Sequence, residues 1–394
     1  MLIAHFLSND MSTTRELVVV IGGSVVVGLS SLWLYSKLGR KSKKQTITVI
    51  GDIFCDIIAT RVTRLPSVWG TDTVVTDPIT IHSGGSGLNT SVWLRNLLKS
   101  ETFSDPVRVQ ITRNFANTND FGSIVQGTLE NAGVEIIEPI SKNQLSSIGT
   151  CICLSGETDR SFVTFRGGNE RFTFSDFDLD ELVSENQIHV HIAGYYNCPG
   201  LWYEHAKKFI RECRNRKPGI TISLNPQYGE EWGGGIHELL PLVDFLICNS
   251  VEAQGIASIG LENPSELVES AVKLVKDFGC PCAVITMGAD GALVARKGVF
   301  QGDGTIENQI CEDCTIQRVL CKEIFDSPTL DTVGVGDAFC AGFLSQIAKN
   351  KITPASAGLI NSVRFGCACG SAALTVVGGS TFPGIEVVRA CQID

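Results

Sequence analysis

From residue 46 onward, short uninterrupted apolar runs alternate with longer stretches whose apolar positions recur every three or four residues. "TITVIGDIF", "VRVQITR", "HVHIAG", "ITISLNP", "VDFLICN" and "CAVITMG" read as strands buried on both faces. "DFGSIVQGTLENAGV", "LWYEHAKKFIREC" and "SELVESAVKLVKDFG" read as helices between them. Strand and helix in alternation predict an α/β domain with a mainly parallel sheet covered by helices on both faces. One segment breaks the rhythm: "SIGTCICLSGETDRSFVTFRGG" (147–168) is two strand-like runs around a polar turn, with no helix between them. A hairpin inserted in an α/β domain predicts a lid.

The hydrophobic pattern ahead of residue 46 is different. Leu17 to Tyr35 contains no charge, and Lys37, Arg40, Lys41, Lys43 and Lys44 follow it. A helix over 17–35 would just cross a hydrocarbon core of about 30 Å. The basic flank would leave the large C-terminal part in the cytoplasm. The expectation is therefore an N-terminal region, 1–45, with a transmembrane signal anchor and a basic linker, ahead of a catalytic domain at 46–394; a buried strand with a Gly turn and an organelle-targeting sequence are the alternatives for the apolar run. Without that segment, a soluble cytoplasmic domain is expected.

Charge and cysteine content narrow the function classes. The net charge is −10, and residues 1–45 hold six Lys/Arg against two Asp/Glu, so the remainder is more acidic still. That argues against nucleic acid as a partner. The 15 cysteines are scattered through a long chain, as in a reduced compartment rather than a small disulfide scaffold. "CEDC" (311–314) has no second metal-binding pair, so zinc is not expected.

The densest chemistry is "DTVGVGDAFCAGF" (331–343). Glycines at 334 and 336 free successive amides to point at one spot, and the apolar run that follows suits a helix whose N-terminus adds a positive dipole end. Such a nest stabilises a phosphoryl group as it gains charge, and Asp337 stands where it can take a proton from an attacking hydroxyl. "HSGGSGLN" (82–89) places a Gly pair before a helix. "NSVE" (249–252) puts an amide and a carboxylate at a strand's C-terminal end, and "ITMGADGALV" (285–294) reads as strand, glycine turn, strand. No Gly-Lys dipeptide exists, which excludes a Walker A loop; "DFG" occurs at 120–122 and 277–279 without the other protein-kinase motifs.

In this order the motifs resemble the ribokinase-like (PfkB) family of carbohydrate kinases over about residues 46–385. "DTVGVGDAF" is similar to the family's D-T-x-G-A-G-D signature, with Val335 in place of Ala. The resemblance implies a three-layer α/β/α sandwich with a small β-strand lid, its strands at about 57–82 and 147–168. It implies an ATP-dependent kinase acting on a sugar hydroxyl, in a pentose or ketohexose. Asp337 would be the catalytic base, and Gly334, Val335 and Gly336 the anion hole. Asp56, Gly84, Gly85 and Asn89 would hold the sugar. Asn249, Thr286, Gly288 and Gly291 would serve ATP, and Glu252 would order Mg2+ through water. Asp331 with the Val333 carbonyl resembles a monovalent-cation (K+) loop, and lid-mediated homodimers are common in the family. "HIAGYY" lacks the acidic residue that ribokinases proper place near ribose. The alternatives are a nucleoside kinase of the same family, or a membrane-tethered binding protein that has lost catalysis.

Overall fold

Side chains on successive residues of each central strand enter opposite layers of the core. In the computed structural model, Ile47, Ile247 and Val284 pack into one apolar cluster, whereas Ile50, Leu246 and Ile285 pack into a second. This alternation is what strands buried on both faces require. The first cluster is closed by helices Ser86–Ser100, Asp120–Ala132, Val335–Asn350 and Leu359–Ala373. The second is closed by Glu204–Arg216, Ile236–Leu239, Ser250–Ala257 and Pro264–Lys276. Helix, sheet and helix thus form three layers.

The structure describes residues 44–392 except 66–67, 101–105, 118, 142–144, 157–159, 260–263, 299–307, 312 and 323–330, together with three strands nearer the N-terminus. The chain divides into two compact units, Met1–Lys44 and Gln45–Asp394.

The main sheet of the larger unit has ten strands. Their order is Asn308–Cys311, Cys314–Val319, Ala292–Lys297, Cys282–Thr286, Phe245–Asn249, Thr221–Leu224, Gln187–Ala193, Thr46–Gly51, Arg108–Thr112 and Glu135–Ile137. Pairing is parallel from Cys282–Thr286 to Glu135–Ile137 and antiparallel across the first four strands. Region 296–327, read from sequence as a loop, instead supplies two of those edge strands. Cys311 and Cys314 are backbone register partners across them.

A second sheet forms the lid, in the order Arg160–Phe165, Gly149–Ser155, Phe54–Ala59 and Thr80–Gly84. The hairpin at 147–168 is present, and Phe54–Ala59 pairs parallel with Gly149–Ser155. Cross-strand register puts Asp56 opposite both His82 and Cys151.

In the smaller unit, Leu17–Ile21 pairs antiparallel with Ala4–Phe6 and with Ser24–Gly28. The transmembrane-helix expectation for 17–35 is corrected here; residues 29–35 lie outside the described residues. Among the described residues no helix is long and apolar enough to cross a membrane, so the membrane anchor, and the cytoplasm-facing placement of the catalytic domain drawn from it, lose the helix on which they rested. The physical reason lies in composition: Val and Ile are restricted at χ1 in a helix and suit a pleated sheet, and the Gly22–Gly23 dipeptide between two such runs is a hairpin signal.

Candidate active site

The helix Val335–Asn350 begins at Gly334, whose φ of 78° is left-handed. A Cβ there would lie 2.3 Å from Gly379 Cα, so both the conformation and the close approach require glycine. At Gly336 a Cβ would meet nothing within 4 Å, so the first turn opens into free space. Asp331 holds the turn from the other side. Its Oδ1 accepts from Val333 N and its Oδ2 from Gly378 N, both at 3.0 Å.

Asp337 follows in that first turn and is 5% exposed. Ser86 Oγ lies 2.7 Å from its Oδ1, and Asn89 Nδ2 donates to Oδ2 at 2.8 Å. Both partners belong to the first turn of helix Ser86–Ser100, so the two Gly-led helix starts of the sequence meet at one carboxylate. Burial raises the Asp337 pKa above the usual carboxylate range, against the hydrogen bonds from Asn89 and Ser86 and the charge of Arg160. Asn89 Oδ1 is buried and has no hydrogen-bond partner among the described residues. An orphaned acceptor beside a carboxylate suits a ligand that brings hydroxyl donors.

Asp56 lies on the lid, 7% exposed, against Gly84, where a Cβ would come within 1.8 Å of its Oδ2. Glycine at 84 is what lets this carboxylate sit down on the helix entry. Burial first, then the charges of Asp52, Asp337 and Asp331, push the Asp56 pKa up to about 7. Asp52 is pushed up to about 7 by burial as well, although it accepts from Gly87 N at 3.0 Å and Asn197 Nδ2 at 2.6 Å.

On the other side, Asn249 and Glu252 form a reciprocal helix cap. Glu252 accepts from Asn249 N at 3.0 Å and Nδ2 at 2.8 Å, and its own N donates to Asn249 Oδ1 at 2.9 Å. Glu252 is 4% exposed, and burial, with the Asp337 charge as a smaller contribution, raises its pKa to about 7. Thr286 lies beside Asn249 on the neighbouring parallel strand. Gly288 is exposed, with open space where a side chain would stand. Gly291 is not open; a Cβ there would strike the Val319 carbonyl at 2.1 Å.

Asp52, Arg160, Asn225 and Gln227 were not singled out from sequence. Arg160, on the lid, donates from Nη1 to Thr332 Oγ1 at 2.6 Å, which brings a cation over the glycine turn. Asn225 and Gln227 approach from the loop after Thr221–Leu224. Only Asp52 carried a local signal, as the first acid of "VIGDIFCD"; the others meet the site through contacts more than a hundred residues apart in sequence.

Three buried acids with pKa near 7 make a pH prediction. Their ordinary values are 3.8 for Asp and 4.5 for Glu. Between about pH 5 and 7 the unfolded chain has lost these protons while the folded chain still holds part of them, so each group's stabilising contribution falls as pH rises. The Tm of ligand-free protein should drop across that window, and Asp56→Asn should make the drop shallower. Scanning calorimetry at pH 5, 6 and 7 checks this; a Tm that rises through the window in both proteins contradicts it.

The model of the pfkB family carbohydrate kinases matches residues 44–385. The chain is 22% identical to the ribokinase of Haemophilus influenzae over 344 residues, covering 86% of this chain and 95% of that one. It is 28% identical to the adenosine kinase of Dictyostelium discoideum over 281 residues, or 68% and 73% of the two chains. The solved structure of Arabidopsis thaliana ribokinase complexed with ribose and ATP superposes with a TM-score of 0.63 at 18% identity, covering 88% of this chain and 98% of that one. The sandwich is the ribokinase-like fold, and the protein belongs to the PfkB family of carbohydrate kinases.

Proposed function

We propose that the protein transfers the γ-phosphoryl group of ATP to a hydroxyl of a sugar, in a pentose or ketohexose. The observation that carries this reading is the buried Asp337 carboxylate at the mouth of a helix whose first turn, at Gly336, faces open space. Asp337 takes the proton of the attacking hydroxyl. The amides of Gly334, Val335 and Gly336 hold the charge that gathers on the phosphoryl oxygens. Asp56 and the free Oδ1 of Asn89 accept from the acceptor's other hydroxyls, over the Gly84–Gly85 entry. Arg160 adds a positive charge from the lid. Because the same residues would serve a nucleoside's ribose, the adenosine kinase likeness makes nucleosides the second acceptor class. ADP release measured with ATP against pentoses, ketohexoses and nucleosides tests the reading; release that no acceptor stimulates contradicts it.

Asn249, Thr286 and Gly288 form the ATP side, and Gly291 supports it from behind. Glu252 fits Mg2+ only through water, because it is almost fully buried and both its oxygens already accept from Asn249. Bound Mg2+ supplies charge neutralisation between the phosphates. Glu252→Gln should raise the Mg2+ concentration for half-maximal rate by roughly tenfold, the range for an outer-shell partner, with the KM for the acceptor unchanged. An unaltered Mg2+ titration removes Glu252 from this role. Asp331 and the Val333 carbonyl are the candidate holders of K+.

The lid's outer face supports self-association. Ile81, Ile152, Val163 and Phe165 lie exposed on one face by register, a patch of the kind a partner surface covers. A homodimer that Val163→Asp dissociates in light scattering is the expected result; an unchanged mass contradicts it.

A further inference from the structure

Ser86 Oγ has two acceptors and one hydrogen. It lies 2.7 Å from Asp337 Oδ1 and 3.1 Å from Asn225 Oδ1. The orientation of the Asn225 amide is fixed at its other end, where Nδ2 donates to the Ile247 carbonyl at 3.0 Å. An oxygen therefore faces Ser86, and a serine hydroxyl cannot donate to both neighbours at once. Ser86, Asn225 and Asp337 are 3%, 6% and 5% exposed, which leaves little room for water to take the missing role.

The two protonation states of Asp337 resolve the conflict in opposite directions. As a carboxylate, Asp337 accepts from Ser86, and Asn225 Oδ1 waits without a donor. Once protonated on Oδ1, Asp337 donates to Ser86 Oγ, whose hydrogen turns to Asn225 Oδ1. We propose that Ser86 and Asn225 form a hydroxyl rotor that reverses when Asp337 takes the substrate proton, so that one chain of hydrogen bonds holds the base before and after transfer. This rests on Asp337 being the base, as proposed above.

The step balances without a further reactant. The acceptor's O–H bond breaks and its proton goes to Asp337 Oδ1. The electron pair left on that oxygen forms the new O–P bond, and the bond to the leaving phosphate breaks with its pair going to ADP. The Ser86 O–H bond stays intact and only rotates. Ser86 and Asn225 are positioning residues; neither exchanges a proton with the substrate. Gln227 Nε2, 3.4 Å from the same Oδ1, can only donate, so it favours the unprotonated state without taking the hydrogen of the protonated one. The charged and titratable groups that bear on Asp337 are Arg160, Asp52, Asp56, Glu252 and the Cys340 thiol, and all stay in place in the variants below.

The rotor makes a signed prediction for the acid limb of the kcat profile. Asn225→Leu removes a partner that only protonated Asp337 uses. The acid form is then worse held, so the limb should move down by about half to one pH unit and kcat should fall about three- to tenfold, the effect of one lost buried hydrogen bond. Ser86→Ala removes a bond from both states, so kcat should fall with a smaller displacement of the limb. In the Ser86→Ala background, Asn225→Leu should move the limb no further, because its effect passes through the Ser86 hydroxyl.

Rates are read as ADP release with ATP and whichever of D-ribose, D-fructose and adenosine supports turnover, on the full chain from pH 5 to 9. Asn225→Ala replaces Asn225→Leu if the larger side chain does not fold. A limb that stays in place in Asn225→Leu, or moves equally in both backgrounds, overturns the rotor while leaving Asp337 as base. A limb that persists in Asp337→Asn overturns the base assignment and the rotor together.

Discussion

Asp337→Asn is expected to lower kcat by roughly 10²–10⁴-fold, the usual worth of a positioned general base, while the affinity for ATP stays near wild type. Asparagine preserves the volume of a side chain that is almost fully buried, and its Oδ1 can still accept from Ser86. It places an NH2 group or a carbonyl where Asn89 Nδ2 now donates, and neither can take a proton. Loss of rate with retained binding is the signature of an interaction made in the transition state. The magnitude corresponds to roughly 3–5 kcal/mol at 1.36 kcal/mol per decade. Because burial raises the pKa of Asp337, the wild-type acid limb should lie above the usual carboxylate range, and substitution should abolish it. Steady-state kinetics with a nucleotide-binding titration checks both halves.

The second large effect comes from a pair of glycines two residues apart. Gly336→Val should leave the fold intact and abolish productive ATP binding, with kcat/KM for ATP down by roughly 10² or more, the scale seen when anion-hole geometry is lost. Its Cβ meets nothing within 4 Å, so no protein atom opposes the substitution, and the valine occupies the space the phosphoryl group needs. Helix propensity does not oppose it either, since valine is no worse than glycine in a helix. Gly334→Val should fail differently. At φ 78°, with Gly379 Cα at 2.3 Å from the new Cβ, it should lower Tm by several degrees, through strain of about 1–3 kcal/mol plus the clash. Equal thermal losses in the two variants would contradict the division between a packed turn residue and an open phosphate cradle.

The parts legible in the sequence were those written in local pattern. Apolar runs marked the central strands because both faces of a parallel sheet are buried, and the lid hairpin showed as two runs around a polar turn. The glycine turn ahead of Asp337 was legible only together with the other motifs, since a Gly-rich turn with a helix-capping Asp reads the same way when taken alone. The partners of that carboxylate were not, since Ser86 and Gln227 reach Asp337 across 251 and 110 residues of chain and leave no periodic mark. Region 296–327 looked like a loop because its edge strands, Asn308–Cys311 and Cys314–Val319, are short and carry no regular apolar pattern. The N-terminal run misled for the opposite reason. Nineteen uncharged residues satisfy a length criterion for a spanning helix, yet valine-rich segments on either side of Gly22–Gly23 meet the requirements of paired strands equally well.

Asp56 and Asp52 show a limit of another kind. Asp56 was singled out from sequence and Asp52 was not, but the pKa near 7 of each follows from burial and from the Asp337 charge, joined for Asp56 by Asp52 and Asp331, which only the folded chain brings within reach. A buried acceptor-rich pocket of this kind is more costly empty than filled, because an acceptor's hydroxyls supply the donors it lacks.

The most direct measurement of the central claim is ADP release from ATP and Mg2+ by wild type and Asp337→Asn, with and without a panel of D-ribose, D-fructose and adenosine. The mechanism predicts release that depends on at least one acceptor in the wild type and falls roughly 10²–10⁴-fold in the variant. Release that no acceptor stimulates, or turnover that survives Asp337→Asn, would contradict it.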